Sequence, residues 1–275
     1  MSNARDLTAL SHLTLRARDR RRLAEFRHDV GLQGYDAFGL HAAGVGAGLA
    51  RMLPLYRAWF RVTSRKIRNL PAKGPAIVVA NHGGLLPFDG LMLWTDIVLR
   101  SNPLRVPRTV MDDFVLRIPL VGTFFTRSGA VGGNRRNVHH LLEDGELVVI
   151  FPEGTNGIGK PWSERYRLQS WSVGHAEMAI RHRAPIVPAA IVGPDDQFPF
   201  GFRLPIRAFG APWVPFAIPP IPLPVPYRIE YGDPIELHRR WTPEQADLPA
   251  VVAEAAAIVR DALQALLDRA RKERS

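Results

Sequence analysis

The sequence predicts an α/β fold: a central, mostly parallel sheet flanked by helices, preceded by an N-terminal helical basic segment. Short apolar runs at 76–80, 147–151 and 185–192 have the make-up of strands covered on both faces. Segments with helical spacing lie between them, an alternation that argues for parallel strands at the centre of one sheet. A length of 275 residues with 46% hydrophobic and 23% charged residues supplies one large core.

Residues 1–70 form the first unit, mostly helical, with breaks at Gly31, Gly34, Gly44, Gly46 and Gly48 and an extended stretch after Trp59. Residues 71–275 form the second. Its first strand is Ala76 to Ala80, followed by a helix over Gly90 to Arg100. A helix from about Asn134 to Leu142, a turn at Asp144-Gly145 and a strand from Glu146 to Phe151 repeat the scheme. Strands at Pro185 to Val192 and Tyr227 to Tyr231 follow, and an amphipathic helix from Pro243 to Lys272 closes the chain. Residues 212–226 hold seven prolines, which exclude a helix or a central strand. Because those prolines are mixed with Trp213, Phe216, Ile218, Ile221 and Leu223, this segment is expected as a packed or membrane-touching loop.

The net charge of +10 is unevenly spread. Residues 1–70 carry thirteen Lys/Arg against five acids, a net +8, and no acid occurs between Ala37 and Phe88. Such a one-signed face fits an anionic lipid surface, an acidic carrier protein or nucleic acid. Met52, Leu53, Leu55, Tyr56, Trp59 and Phe60 interleave with the charges, as in a segment that buries one side among headgroups. The same pattern is also that of a solvated arginine-rich helix over ordinary core residues. No apolar run approaches the roughly 20 residues of a spanning helix, and arginines break the N-terminus where a signal peptide would be apolar. The expected location is cytoplasmic, peripheral on the cytoplasmic face of a membrane. The absence of cysteine removes disulfides and thiolate chemistry.

The segment from Asn81 to Gly90 (NHGGLLPFDG) lies between the first strand and its helix, where open α/β sheets bind ligands. His82 there is a base suited to a hydroxyl near neutral pH, and Asp89 can fix its tautomer if the loop folds back. Gly83 and Gly84 admit close backbone approach of a substrate, with N–H groups for a developing oxyanion. A histidine and an N-cap aspartate that merely tie down a turn would have the same spacing. A second feature adds weight: Phe151-Pro152-Glu153-Gly154-Thr155 follows a strand, Val121 to Arg127 (VGTFFTR) precedes it, and an apolar strand containing Pro188 comes after. Together, over residues 54 to 237, these four ordered motifs resemble the lysophospholipid acyltransferase family, the glycerolipid acyltransferases.

That resemblance implies an O-acyltransferase moving a fatty acyl group from acyl-CoA or acyl carrier protein to the hydroxyl of a lysophospholipid or related glycerolipid. His82 would be the general base and Asp89 its orienting partner. Arg127, Glu153, Gly154 and Thr155 would bind the acceptor, and Pro188 would shape the acyl pocket. No metal or bound cofactor is implied, the carrier being a substrate; the expected partners are an anionic membrane surface and that donor, with no nucleic acid. Six residues separate His82 from Asp89 where the family usually has four, a longer form resembling the branch that includes acyltransferases of mono- and diacylglycerol. A neutral glyceride acceptor is therefore the alternative within the family, and a non-catalytic basic protein binding membranes or nucleic acid is the alternative outside it.

Three other patterns are set aside. His139 and Asp144 match the usual family spacing, but on a helix they would sit roughly 140° apart. Gly154 to Lys160 (GTNGIGK) nearly spells a phosphate loop, with Pro161 where a magnesium-binding hydroxyl belongs. A serine-nucleophile elbow is absent. Arg135 and Arg136 open a helix and would either attract a donor phosphate or remain solvated.

Overall fold

The computed structural model describes residues 15–26, 31–207 and 210–274; Arg5 and Arg27 of the basic N-terminal segment lie outside them. In chain order the helices are α1 (Ala17–Glu25), α2 (Ala42–Pro54), α3 (Phe88–Arg100), α4 (Asp113–Arg117), α5 (Val121–Arg127), α6 (Arg135–Glu143), α7 (Gly174–Arg181) and α8 (Pro249–Lys272). The strands are β1 (Thr63–Arg65), β2 (Ala76–Ala80), β3 (Arg108–Met111), β4 (Val131–Gly132), β5 (Leu147–Ile150), β6 (Ile186–Val192), β7 (Gly201–Leu204), β8 (Val214–Ala217) and β9 (Arg228–Tyr231).

Seven strands form one sheet in the order β1-β9-β6-β2-β5-β3-β4. Every neighbouring pair is parallel except β6 with β9, so the expected α/β class with a mostly parallel sheet holds. β2 lies at the centre and is buried along its whole length. Its side chains alternate between two cores, as a two-residue repeat requires. Ile77 and Val79 pack with Val138, Leu141, Ile180, Val259 and Leu263 of α6, α7 and α8. Ala76, Val78 and Ala80 pack with Met92, Leu93 and Ile97 of α3 on the other face, together with Tyr56 and Phe60.

Several apolar residues expected among lipid headgroups therefore belong to the interior. Leu53, Tyr56 and Phe60 are buried, and Trp59 alone of the large apolar side chains in that stretch is substantially exposed, at 37%. Asp96 explains why residues 55–65 adhere so closely. Fully buried on α3, it accepts hydrogen bonds from Tyr56 Oη (2.5 Å), Ser64 Oγ (2.8 Å) and Tyr231 Oη (2.9 Å), linking three elements through one carboxylate. Burial pushes its pKa upward, and the three hydroxyl donors oppose that shift. These contacts cross the division expected at residue 70.

Two further elements depart from expectation. The last helix starts at Pro249 rather than Pro243, because residues 243–247 form a separate 3-10 turn held by Thr242 N–H to Gln245 Oε1 (2.9 Å). Leu248, preceding a proline, is extended and breaks the two apart. The proline-rich segment expected as a loop contains β8, paired antiparallel with β7 in a hairpin separate from the main sheet.

His175 stands at the start of α7, buried edge-on against Trp171. Burial lowers its pKa from 6.5 to about 4, outweighing a contact with the Ser172 backbone that raises it. The unfolded chain then binds one more proton than the native state between those values, so stability falls as pH falls from 6.5 toward 4. The shift corresponds to about 3 kcal/mol. Urea titrations of wild type and His175→Leu should diverge by about that amount between pH 7 and 4; a difference that stays constant with pH would refute the assignment.

Candidate active site

Three adjacent parallel strands, β6, β2 and β5, end side by side, and the turns after them build the site. β2 runs into Asn81 and His82, β5 into Phe151, Pro152 and Glu153, and β6 into Gly193, Pro194 and Asp195. Asn81 stitches two of these ends together: its Nδ2 donates to the Ile191 carbonyl (3.0 Å) and its Oδ1 accepts from the Ile191 N–H (2.7 Å).

The loop after His82 does fold back. Asp89, in the first turn of α3 and fully buried, places Oδ2 2.6 Å from His82 Nδ1. This engages Nδ1 and leaves Nε2 for an incoming hydroxyl, the arrangement of an oriented general base. The imidazole packs on the Phe151 ring, centroids 4.5 Å apart, and is nearly buried.

The backbone around His82 is held by charged side chains. Glu153 Oε1 accepts from the His82 N–H (2.8 Å), Asp89 Oδ2 from the Gly83 N–H (2.8 Å) and Asp195 Oδ1 from the Gly84 N–H (2.9 Å). Three carboxylates thus take three consecutive N–H groups. Lys160 Nζ donates to the His82 carbonyl (3.2 Å) and lies 3.4 Å from Asp195 Oδ2, with both side chains 3% exposed. Glu153 Oε2 also accepts from the Gln169 N–H (2.7 Å), and Asp195 Oδ2 from the Tyr166 N–H (2.6 Å). Burial raises the pKa of Glu153 and of Asp195, opposed in each case first by the Lys160 charge and then by these backbone donors. Such charge-assisted bonds are each worth about 1.5–3 kcal/mol in setting the turn.

This geometry changes several expected roles. The Gly83 and Gly84 N–H groups are occupied by Asp89 and Asp195, so they are not poised for an oxyanion. The glycines are needed because a Cβ on Gly83 would lie 2.6 Å from Asp195 Oδ1, and Gly84 has φ of +78°. Glu153 is turned toward backbone and is 2% exposed, so it acts as a positioning group rather than as an acceptor ligand. Gly154 and Thr155 follow it in a part-exposed turn, Gly154 with open space beside it. Pro188 lies within β6, paired with Val79.

Arg127 is not brought to His82. It ends α5 exposed, its carbonyl accepting from the His41 N–H (3.2 Å) and its guanidinium 6.0 Å from the Tyr35 ring. That segment borders the start of β3, where Asp36 pairs with the buried Arg108 (2.6 Å), while His82 follows the opposite, carboxyl end of β2. Arg135 is exposed and paired with Glu177. His139 contacts His182 (2.7 Å) and Glu143 (3.2 Å) on the far helix α6. Lys160 and Asp195 were not anticipated: the first sat in the rejected phosphate-loop pattern, and the second in a Gly-Pro-Asp-Asp turn that has the composition of an exposed loop.

Comparison with known proteins matches part of the chain to a family. Residues 61–192 match the family model described as Acyltransferase. An uncharacterized protein of Mycobacterium tuberculosis is 36% identical over 225 residues, 78% of this chain and 63% of that one. Its counterpart in Mycobacterium leprae is 38% identical, over 78% and 61%. The chain thus spans less than two thirds of the length of these relatives. The 1-acyl-sn-glycerol-3-phosphate acyltransferase of Bacillus subtilis is 27% identical over 139 residues, 46% of this chain and 61% of that one. Among solved structures, the 1-acyl-sn-glycerophosphate (LPA) acyltransferase of Thermotoga maritima shares the fold, with a TM-score of 0.50 and 17% identity over 74% of this chain and 71% of that one. His82, Asp89 and Glu153 thus all lie inside residues 61–192, the stretch that matches the acyltransferase family model.

Proposed function

We propose that the protein is an O-acyltransferase of the glycerolipid type that transfers a fatty acyl group from acyl-CoA or acyl carrier protein to the hydroxyl of a lysophospholipid. The observation that carries this reading is the 2.6 Å contact between His82 Nδ1 and Asp89, in a loop whose backbone is fixed on both sides of the base. His82 Nε2 removes the acceptor proton as the hydroxyl oxygen attacks the thioester carbonyl. The new C–O bond forms, the C–S bond breaks, and the imidazolium returns its proton to the departing thiolate. Asp89 stabilises the imidazolium between these events. The step needs no metal or redox group. The name of the Bacillus subtilis relative supports a phosphorylated acceptor, and the long loop from His82 to Asp89 keeps a neutral glyceride as the second reading. Among the described residues no helix is long and apolar enough to cross a membrane, which is compatible with action at the surface of one.

The test is incubation with acyl-CoA and a panel of lysophosphatidate, other lysophospholipids, monoacylglycerol and glycerol 3-phosphate, with products identified by mass. An acylated lysophospholipid is expected; free fatty acid alone would replace acyl transfer with hydrolysis. Because Arg127 is exposed beside Tyr35, Arg127→Ala should leave the ratio of lysophosphatidate to monoacylglycerol turnover within about twofold of wild type, as for surface substitutions generally. A selective loss with lysophosphatidate would instead bring Arg127 to the substrate.

A further inference from the structure

The β7–β8 hairpin and the proline segment after it carry an unusual surface. Phe200 (72%), Phe202 (48%), Ile206 (55%), Phe216 (41%), Ile218 (63%) and Ile221 (62%) all point outward. Phe202 and Phe216 lie on paired positions with ring centroids 5.0 Å apart. Scattered exposed apolar residues need no explanation, but six on one hairpin and the segments that adjoin it, two of them in ring contact, mark a contact surface.

The group is fastened to the rim of the candidate site. A Cβ on Gly201 would fall 3.1 Å from Leu85, next to the His82 loop. Arg203 donates to the carbonyls of Ile158 and Asn156, in the turn after Glu153, and its guanidinium lies 5.0 Å from the Trp213 ring. The same segment reaches the basic N-terminal part of the chain. Trp59 Nε1 donates to the Pro222 carbonyl (3.1 Å) and Arg61 to the Pro224 carbonyl (2.6 Å). Two segments far apart in sequence, around Trp59 and over 200–224, are thus one surface. Neither 37–88 nor 201–227 contains an acid, so these two segments themselves contribute only positive charge, through Arg61 and Arg203 beside the apolar group, with Glu164 of a neighbouring turn close to Arg203.

We propose that this surface, formed by the hairpin, Ile218, Ile221 and Trp59, docks onto an anionic phospholipid bilayer and sets the rim of the His82 site against the lipid. The inference rests on the acyl-transfer reading for its purpose, though the surface stands by itself. Apolar side chains bordered by arginine and tryptophan suit the interface between headgroups and acyl chains. A second copy of the chain fits poorly, since a two-fold contact would set the arginine border against itself. A partner strand fits poorly as well, because Pro215 and the prolines at 219, 220, 222 and 224 offer no N–H for pairing.

The experiment uses the full chain with vesicles of phosphatidylcholine, alone or mixed with phosphatidylglycerol, read by co-sedimentation and by quenching of tryptophan with brominated lipid. Transfer is measured in parallel with a short-chain thioester and a lysolipid below its micellar concentration. Wild type should sediment with the anionic vesicles, less so at high salt. Phe202→Glu/Ile218→Glu should weaken sedimentation at least tenfold while the water-soluble assay stays within twofold of wild type. Phe202→Ala and Ile221→Ala, at exposed positions that keep the fold, should each give a smaller loss in the same direction. Sedimentation of the charged variant equal to wild type would overturn the proposal. So would a wild type that transfers acyl groups in solution but ignores vesicles, or that is retained by acyl carrier protein and not by vesicles. A wild type that binds vesicles yet transfers nothing would leave the docking surface intact and reject the acyltransferase reading instead.

Discussion

Replacing His82 with alanine should lower turnover on the order of 10²- to 10⁴-fold, the usual contribution of a positioned general base, with the circular dichroism and melting behaviour of wild type. Its ring contributes packing on Phe151, but the backbone contacts of residue 82 to Glu153 and Lys160 do not involve the side chain and persist. Asp89→Asn should fall by a comparable factor for a different reason. An amide presents an N–H where the carboxylate accepted one, which drives the Nδ1 proton to Nε2 and removes the base. The amide oxygen, at the Oδ1 position, still accepts from the Gly90 N–H, while the Gly83 N–H, which shares Oδ2 with His82, loses its acceptor. Near-wild-type turnover in a folded His82→Ala protein would eliminate the mechanism.

The second large effect concerns stability. Lys160→Met should destabilise the fold by about 3–5 kcal/mol, because it strands the buried Asp195 carboxylate without its cation. Asp195 would retain the Gly84 and Tyr166 N–H donors, which compensate only in part. The double variant Lys160→Met/Asp195→Asn should lose less than the sum of the two single variants, since neither buried charge then remains. Equilibrium urea unfolding measures both. A Lys160→Met protein within about 1 kcal/mol of wild type would mean that the pair is solvated in solution.

The two sets of residues differ in how visible they are in sequence. β2, β5 and β6 are legible because strands covered on both faces must be apolar throughout, as Ala76 to Ala80 is. His82 and Asp89 are legible because both ends of their loop are marked, by a strand and by a helix start. β3 is not, because it opens with Arg108, a charge buried against Asp36, some seventy residues earlier, and Glu146. β4, at two residues, carries no periodic signal. Lys160 and Asp195 are exposed types by composition, and only the folded chain places them together. Arg127 shows the reverse case: its interval from Gly122 fits a motif, but both residues lie on α5, with Arg127 beside Tyr35 and His41 rather than beside His82.

The clamp on the His82 turn also dictates when the active site can come into being. Asp89 supplies the local contacts, but the other partners are 71, 78 and 111 residues along the chain from the groups they hold, so the turn depends largely on distant residues for its shape. Loop-closure entropy must be overcome for each of these contacts before any of them rewards the chain. These contacts are therefore expected to form late, once β5 and β6 have docked on either side of β2, so that in refolding the His82 turn should order together with completion of the sheet.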